Sequence, residues 1–186
     1  MEHVNVYDWD KTIFPEDSTA AFCFWCARRY PRVILHFLSL LGCLPAFLSG
    51  RMEKTRFKER LYGFLRAIPD IDAEVQAFWD ANFDRIHQWY MAQTSPDDIV
   101  ISASPEFFLS VPAERLGVRL LASRVDKHTG ATTGENCWGA EKVARLREAY
   151  PDVTIASFYS DSYSDDPLAQ LADHAYLVKG SELLPW

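Results

Sequence analysis

His3-Val4-Asn5-Val6-Tyr7-Asp8-Trp9-Asp10-Lys11-Thr12 is the stretch on which the reading of this 186-residue chain turns. Apolar side chains alternate up to Tyr7, the period of a buried β-strand, and two carboxylates follow where that strand ends. In an open α/β sheet, ligands bind in the crevice beyond the carboxyl ends of the strands. Side chains at i and i+2 of extended chain point to one side, so Asp8 and Asp10 are placed to work on one ligand. A carboxylate can act as a covalent nucleophile toward phosphorus, and a second one nearby can handle protons or bind a cation.

Composition bounds the answer. With 48% hydrophobic residues the chain can bury one core plus a small insertion. A formal charge of −7 leaves no electrostatic footprint for a phosphate backbone, so nucleic acid is not an expected partner. Of the four cysteines, Cys23 and Cys26 form a C-x-x-C pair inside an apolar helical run. Buried free thiols, and hence a reducing compartment, are the preferred reading over a zinc or redox site. No basic n-region precedes an apolar run at the N-terminus, which gives a cytoplasmic expectation.

Residues 33–48 (VILHFLSLLGCLPAFL) carry no charge and are flanked by Arg28, Arg29, Arg32 and Arg51. The run falls short of the roughly 20 apolar residues a membrane helix needs, and Gly42 and Pro45 interrupt it. A buried helix or helical hairpin, broken between Gly42 and Pro45, is the preferred reading. The alternative is an interfacial helix with its arginines facing anionic headgroups.

Along the chain, helical patterns cover 17–29, 32–49, 53–68 and 72–91, with Asp17 or Ser18 and Asp72 as N-caps and Pro31 and Pro69 as breaks. From Asp98 onward the pattern alternates. Strands are expected at 99–101, 118–122, 153–159 and 175–178, and helices at 105–116, 139–150 and 167–172, as βαβ units require. A hairpin is expected across 126–134.

Three more strand ends carry chemistry. Ile99-Val100-Ile101-Ser102-Ala103-Ser104 ends on hydroxyls ahead of Pro105; a hydroxyl with backbone N–H groups at a helix start can cradle phosphate, although Ser104 also suits an N-cap. Lys142 stands in a first helical turn, where the dipole favours anions; a solvated lysine is the ordinary reading there. Tyr159-Ser160-Asp161-Ser162-Tyr163-Ser164-Asp165-Asp166 gathers carboxylates that suit either a solvated, helix-capping turn or Mg²⁺, which takes oxygen ligands and only one or two protein carboxylates.

The order nucleophile, hydroxyl, lysine, acidic pair resembles the haloacid dehalogenase-like hydrolases, over residues 1–13 and about 98–178. Asp8-Trp9-Asp10-Lys11-Thr12 is similar to the family's Asp-x-Asp-x-Thr motif. The resemblance implies an α/β fold: a Rossmann-like core with a mainly parallel sheet from residues 1–13 and 98–186, and an all-helical cap at 14–97 inserted after the first strand, as in the phosphoserine-phosphatase-like branch. It implies a Mg²⁺-dependent phosphomonoester hydrolase working through an aspartyl-phosphate. Asp8 is then the nucleophile and Asp10 the acid and base; Ser102, Ala103 and Lys142 bind phosphate; Asp8, Asp10 through its carbonyl, and Asp161 hold the metal; Thr12 and Asp165 support the site. Ser160 in place of a usual glycine, and Ser102-Ala103-Ser104 in place of Ser-Gly-Gly, depart from the family pattern around the phosphate loop.

A small phosphorylated metabolite is the leading substrate class and a monomer or weak dimer the expected state. Glu16, Asp17, Arg56, Lys58 and Arg60 either bind an amino-acid-like substrate or form a solvated charged face, the second being preferred. Two other readings are carried: a lipid-phosphate phosphatase touching membranes through 33–48, and a catalytically idle binding module.

Overall fold

The computed structural model describes residues 2–50 and 54–186. Strands β1 (Glu2–Tyr7), β2 (Ile99–Pro105), β3 (Arg119–Ser123), β4 (Val153–Ser160), β5 (Ala172–Lys179) and β6 (Glu182–Pro185) form one sheet in the order β3-β2-β1-β4-β5-β6. The first five are parallel, and β6 returns antiparallel to β5. The sequence reading stops at β5, because β6 is a short, exposed edge strand with no buried face to impose an alternation. From β1 the chain builds β2 and β3 to one side and β4 and β5 to the other. The crevice beyond the ends of β1 and β4 is therefore the topological switch point of the sheet.

Helices α1 (Ser18–Arg29), α2 (Pro31–Leu40), α3 (Leu44–Leu48), α4 (Lys54–Tyr62), α5 (Ile71–Asn82) and α6 (Gln88–Met91) are all inserted between β1 and β2. Helix α7 (Glu106–Leu116) links β2 to β3, α8 (Ala140–Ala149) precedes β4, and α9 (Asp166–Ala169) precedes β5. Asp17 caps α1 by accepting from the Ala20 N–H at 2.8 Å. Asp70, not the expected Asp72, caps α5 through the Ala73 N–H at 3.0 Å. Asp70 follows Pro69 in extended conformation (φ −132°, ψ 92°), which leaves Asp72 in the first turn.

Both faces of the sheet are covered, as a parallel sheet requires. Val4, Val6, Ile99, Ile101, Ile155 and Phe158 pack with Leu146 of α8 and Leu168 of α9. On the other face Tyr7 and Tyr159 belong to a second core with Trp79 of α5 and Phe108 of α7. The register of β1 against β4 slips between Val4 and Asn5, whose partners are Ile155 and Ser157. That bulge puts Ile155 and Phe158, three residues apart, on one face. Tyr7, Tyr159 and Tyr176 are register partners and stack across β1, β4 and β5 at 4.7 and 5.0 Å between centroids.

The inserted helices are joined to the sheet by aromatic packing. Trp79 lies edge-on to Trp9 at 5.6 Å and donates its indole N–H to the Phe108 carbonyl at 2.7 Å. Phe22 of α1 meets Phe108 at 4.8 Å. Glu74 of α5 accepts from Trp25 Nε1 and the Tyr30 hydroxyl, each at 2.8 Å, and so ties α1 to α5.

The uncharged run breaks where expected, at a 3₁₀ turn over Leu41–Cys43 between α2 and α3. It is not a buried helix. Val33 is buried and Phe37 packs on the core, whereas Ile34, Leu35, Leu38, Leu41 and Leu48 are exposed. Apolar residues surround α2, but core partners cover only one of its sides. No helix among the described residues is long and apolar enough to cross a membrane. Arg51 and the expected helix start at Glu53 lie outside the described residues.

The turn after β3 straps the sheet to the inserted helices. Val125 bridges Thr132, and the Thr132 N–H and hydroxyl donate to Glu59 Oε1 at 3.1 and 2.7 Å. Lys127 pairs with Asp72. Gly130, at φ +75°, lies so close to α4 that an added Cβ would stand 2.5 Å from the Tyr62 carbonyl oxygen. Gly130→Ala is expected to cost about 1–3 kcal/mol, from backbone strain and the forced withdrawal of α4. A lowered urea midpoint with an unchanged m-value checks this.

Candidate active site

The residues picked out at three strand ends and one helix start converge at the switch point. Asp8 leaves β1 with its N–H donating to the Tyr159 carbonyl of β4 at 2.9 Å, which fixes the carboxylate over the crevice. Lys142, in the first turn of α8, places its ammonium 2.7 Å from Asp8 Oδ1 and 2.7 Å from Asp165 Oδ2. The Ser160 hydroxyl donates to the same Asp165 oxygen at 2.8 Å. Thr12 reaches Asp8 Oδ2 at 3.5 Å. The Trp9 carbonyl accepts from the N–H groups of Thr12, Ile13 and Phe14, and this turn is closed with Lys11 at φ +59°.

Lys142 is buried against the unfavourable pole of its helix, which the two carboxylates explain. Burial alone would lower its pKa, but Asp8 and Asp165 together outweigh burial and hold it raised. Asp8 is driven the other way. Loss of water raises its carboxyl, Lys142 offsets part of that, Asp165 and Asp10 add to it, and the result is a pKa pushed up from 3.8 to about 7.

Asp10 is gripped by three donors. Ser18 donates its N–H and hydroxyl to Oδ1 at 2.7 and 2.5 Å, and Ser104 donates its hydroxyl to Oδ2 at 2.5 Å. Burial raises its pKa despite these bonds, so the protonated form is more accessible than in an ordinary aspartate. Ser104 is thus not the helix N-cap that its place before Pro105 suggests; Pro105 itself takes that position in α7. Ser102 is buried at the end of β2, and its hydroxyl accepts from the Ser104 N–H at 3.1 Å. The Ala103 carbonyl accepts from Lys58 of α4 at 3.4 Å, and Lys58 also reaches Asn136 Oδ1 at 2.7 Å.

Asp161 joins the group electrostatically. Burial raises its carboxyl, Lys11 and Lys179 pull it down, and Asp165 and Lys142 act in opposite senses on it. Among the described residues the centre therefore holds more buried carboxylate than its one buried lysine can balance, and Asp165 Oδ1 is buried without a hydrogen-bond partner there. That surplus of hard oxygen fits a divalent cation. No group of three or more His, Cys, Asp or Glu side chains that could hold a metal ion is found among the described residues.

A cavity of about 660 Å³ opens beside this centre, with Asp10, Ser104, Asp17 and Lys58 in its wall. Of the charged residues considered as substrate ligands, Asp17 and Lys58 face it. Glu16 instead pairs with Arg85 at 2.6 Å, and Arg56 and Arg60 line a separate cleft with His36 and Glu59. Cys23, Cys26 and Cys137 are free thiols, and burial raises each pKa, so none is a ready thiolate. Ser18, Ser104 and Asn136 were missed as site residues, since nothing local marks a serine or asparagine whose partner lies far along the chain.

A doubly wound parallel sheet with an aspartate pair at its switch point defines a class, and comparison with known proteins narrows it. A model of haloacid dehalogenase-like hydrolases matches residues 6–170, so the chain belongs to that family. Protein CicA of Caulobacter vibrioides is 28% identical over 185 residues, covering 90% of this chain and 82% of CicA. A protein of unknown function from Bordetella pertussis Tohama I shares the fold with a TM-score of 0.74 at 19% identity, covering 95% of this chain and 90% of that one. A phosphoserine phosphatase solved as a phospho-aspartyl intermediate analogue shares it with a TM-score of 0.53 at 14% identity, over 95% of this chain and 86% of that one.

The raised carboxyl of Asp8 fixes the sign of a pH dependence. Between 3.8 and about 7 the folded, metal-free protein keeps a proton on Asp8 that the unfolded chain has lost. This contribution to stability is complete at low pH, is lost as pH rises from about 4 to about 7, and is level above. Asp8→Asn removes it. Urea titrations in chelator are therefore expected to show the variant gaining on the parent protein across that window.

Proposed function

We propose that the chain is a phosphomonoester hydrolase in which Asp8 is the nucleophile. The observation that carries this reading is the Asp8–Lys142–Asp165 cluster at the switch point, with Asp10 held two residues beyond Asp8 at the edge of the cavity. A phosphoryl group seated there would meet a carboxylate on one side and cations and hydroxyls around it, which is what phosphoryl transfer needs.

In the first step an Asp8 carboxylate oxygen attacks phosphorus in line as the ester P–O bond breaks. Asp10, protonated, gives its proton to the leaving oxygen. Its raised pKa and its hold by Ser18 and Ser104 suit this role. In the second step Asp10, now ionised, takes a proton from water; the oxygen attacks phosphorus, Asp8 is released, and inorganic phosphate leaves. Lys142 and the hydroxyl and backbone groups of Ser102 and Ala103 hold the non-bridging oxygens, and Thr12 and Asp165 keep Asp8 and Lys142 oriented. Bound Mg²⁺ would neutralise charge on the transferring group, with Asp8, the Asp10 carbonyl and Asp161 as its protein ligands.

The segment 14–97 acts in this reading as the cap that selects substrate over the core formed by 1–13 and 98–186. Lys58 is its cation at the phosphate pole. A small phosphorylated molecule is the substrate class, and the relatedness to phosphoserine phosphatases in fold supports the chemistry without fixing the alcohol.

Hydrolysis of 4-nitrophenyl phosphate tests this. Turnover is expected with Mg²⁺, to be lost on chelation and reduced to background in Asp8→Asn. Asp10→Asn is expected to lose about 10²–10⁴-fold in kcat, the usual contribution of a positioned acid and base. Equal activity of Asp8→Asn and the parent protein would refute the assignment.

A further inference from the structure

The cavity beside Asp10 is polar at one end only. Asp10, Asp17, Thr19, Ser104 and Lys58 gather at the catalytic end. Past them the wall is made by Cys23 and Phe24 of α1, Ile34, Phe37 and Leu38 of α2, and Leu61 and Tyr62 of α4, and is apolar but for the Tyr62 hydroxyl. Its 660 Å³ lies within the range of about 300–1,000 Å³ that binds small molecules. Cys23 adds no charge, since burial pushes its thiol up to about 12.

The mouth is apolar too. Phe24 is 70% exposed, Leu38 56% and Leu41 61%, and all three border the cavity. Leu35, 65% exposed, sits one turn from Leu38 on the same helix ridge and continues the surface outward. Exposed apolar side chains gathered around a pocket mark a binding surface rather than an accident of composition. An amino-acid-like alcohol would need partners for both its ammonium and its carboxylate. Among the described residues, Asp17 and Lys58 are the charged cap residues facing this space, and Lys58 is already spent on Asn136 and the Ala103 carbonyl at the phosphate pole.

We infer that the substrate is an amphiphile: a phosphomonoester of a single apolar chain, its phosphate at Asp8 and its chain lying between α1 and α2. This rests on the phosphohydrolase reading above. The phosphate would sit at the polar pole beside Lys58, and the chain would cover Phe24, Ile34 and Leu38, leaving through the apolar mouth. Such a chain can come from a dissolved ester or from a lipid held in a bilayer, and the two share this recognition chemistry.

The test is kcat/KM along butyl, hexyl, octyl and decyl phosphate below their aggregation limits, with phosphoserine and 4-nitrophenyl phosphate as references. The expected result is a rise of up to about fourfold per methylene, the factor that ~0.8 kcal/mol per buried CH₂ gives, with decyl phosphate preferred to phosphoserine. Leu38→Asp and Ile34→Asp place a charge against the chain, and each is expected to cut the decyl-to-butyl ratio at least about tenfold. Reading a ratio within one variant cancels any general loss of activity. Decyl phosphate presented in phosphatidylcholine vesicles, compared with the dissolved ester, distinguishes a membrane source from a soluble one. A flat chain-length profile with 4-nitrophenyl phosphate still hydrolysed overturns the amphiphile and leaves the hydrolase standing. A flat profile with concentration-dependent self-association assigns the apolar face to a second copy of the chain and equally overturns it. Failure on every ester overturns the underlying hydrolase reading instead.

Discussion

A buried ammonium between two carboxylates organises this molecule. Lys142 has lost nearly all contact with water, a loss tolerable only because Asp8 and Asp165 each lie 2.7 Å away. The three residues come from the end of β1, the first turn of α8 and the loop after β4, so pairing them brings together segments more than a hundred residues apart. The remaining site follows from that arrangement. With Asp8 committed to Lys142, Ser18 of α1 and Ser104 of β2 take the carboxylate of Asp10, two residues on. One short loop thus presents a carboxylate to a lysine and a second carboxylate to hydroxyls. In the proposed reaction the first attacks and the second moves the proton.

The inserted helices do two physical jobs. Their inner side merges with the sheet's core through Phe22, Trp79 and Phe108, so the wall of the cavity is held against the catalytic loop rather than hung above it. The strap at Glu59 and Gly130 holds α4, and with it Lys58, from the other side. On the outer side Ile34, Leu35 and Leu38 of α2, with Leu41 and Leu48 beyond it, are exposed, and this is where apolar side chains meet solvent. A fold that buries Trp9, Trp79 and Tyr90 completely while leaving Phe24 and Leu38 open has the means to cover apolar surface and leaves this region uncovered.

What could be read in the sequence follows from how local each signal is. Strands β1 and β4 show because buried faces impose a two-residue alternation, β2 shows as a continuous apolar run buried on both faces, and Asp8, Ser102, Lys142 and Asp161 show because each follows such a strand or opens the next helix at a characteristic spacing. Ser18 and Ser104 are invisible because their meaning lies in Asp10, reached only once β2 lies beside β1. The exposure of α2 is hidden for the same reason. Pattern reports that Ile34, Leu35 and Leu38 are apolar, but only the packed structure reports that they stay exposed.

The nucleophilic role of Asp8 is the claim on which the functional account stands, and the covalent state of that side chain is its most direct measure. Protein mixed with Mg²⁺ and excess phosphate ester, quenched in acid during turnover and mapped by peptide mass, should carry one phosphoryl group on the peptide containing Asp8, lost on brief exposure to hydroxylamine. Turnover with that peptide unmodified at every quench time, or with the phosphoryl group on Ser102 or Ser104, would contradict the account.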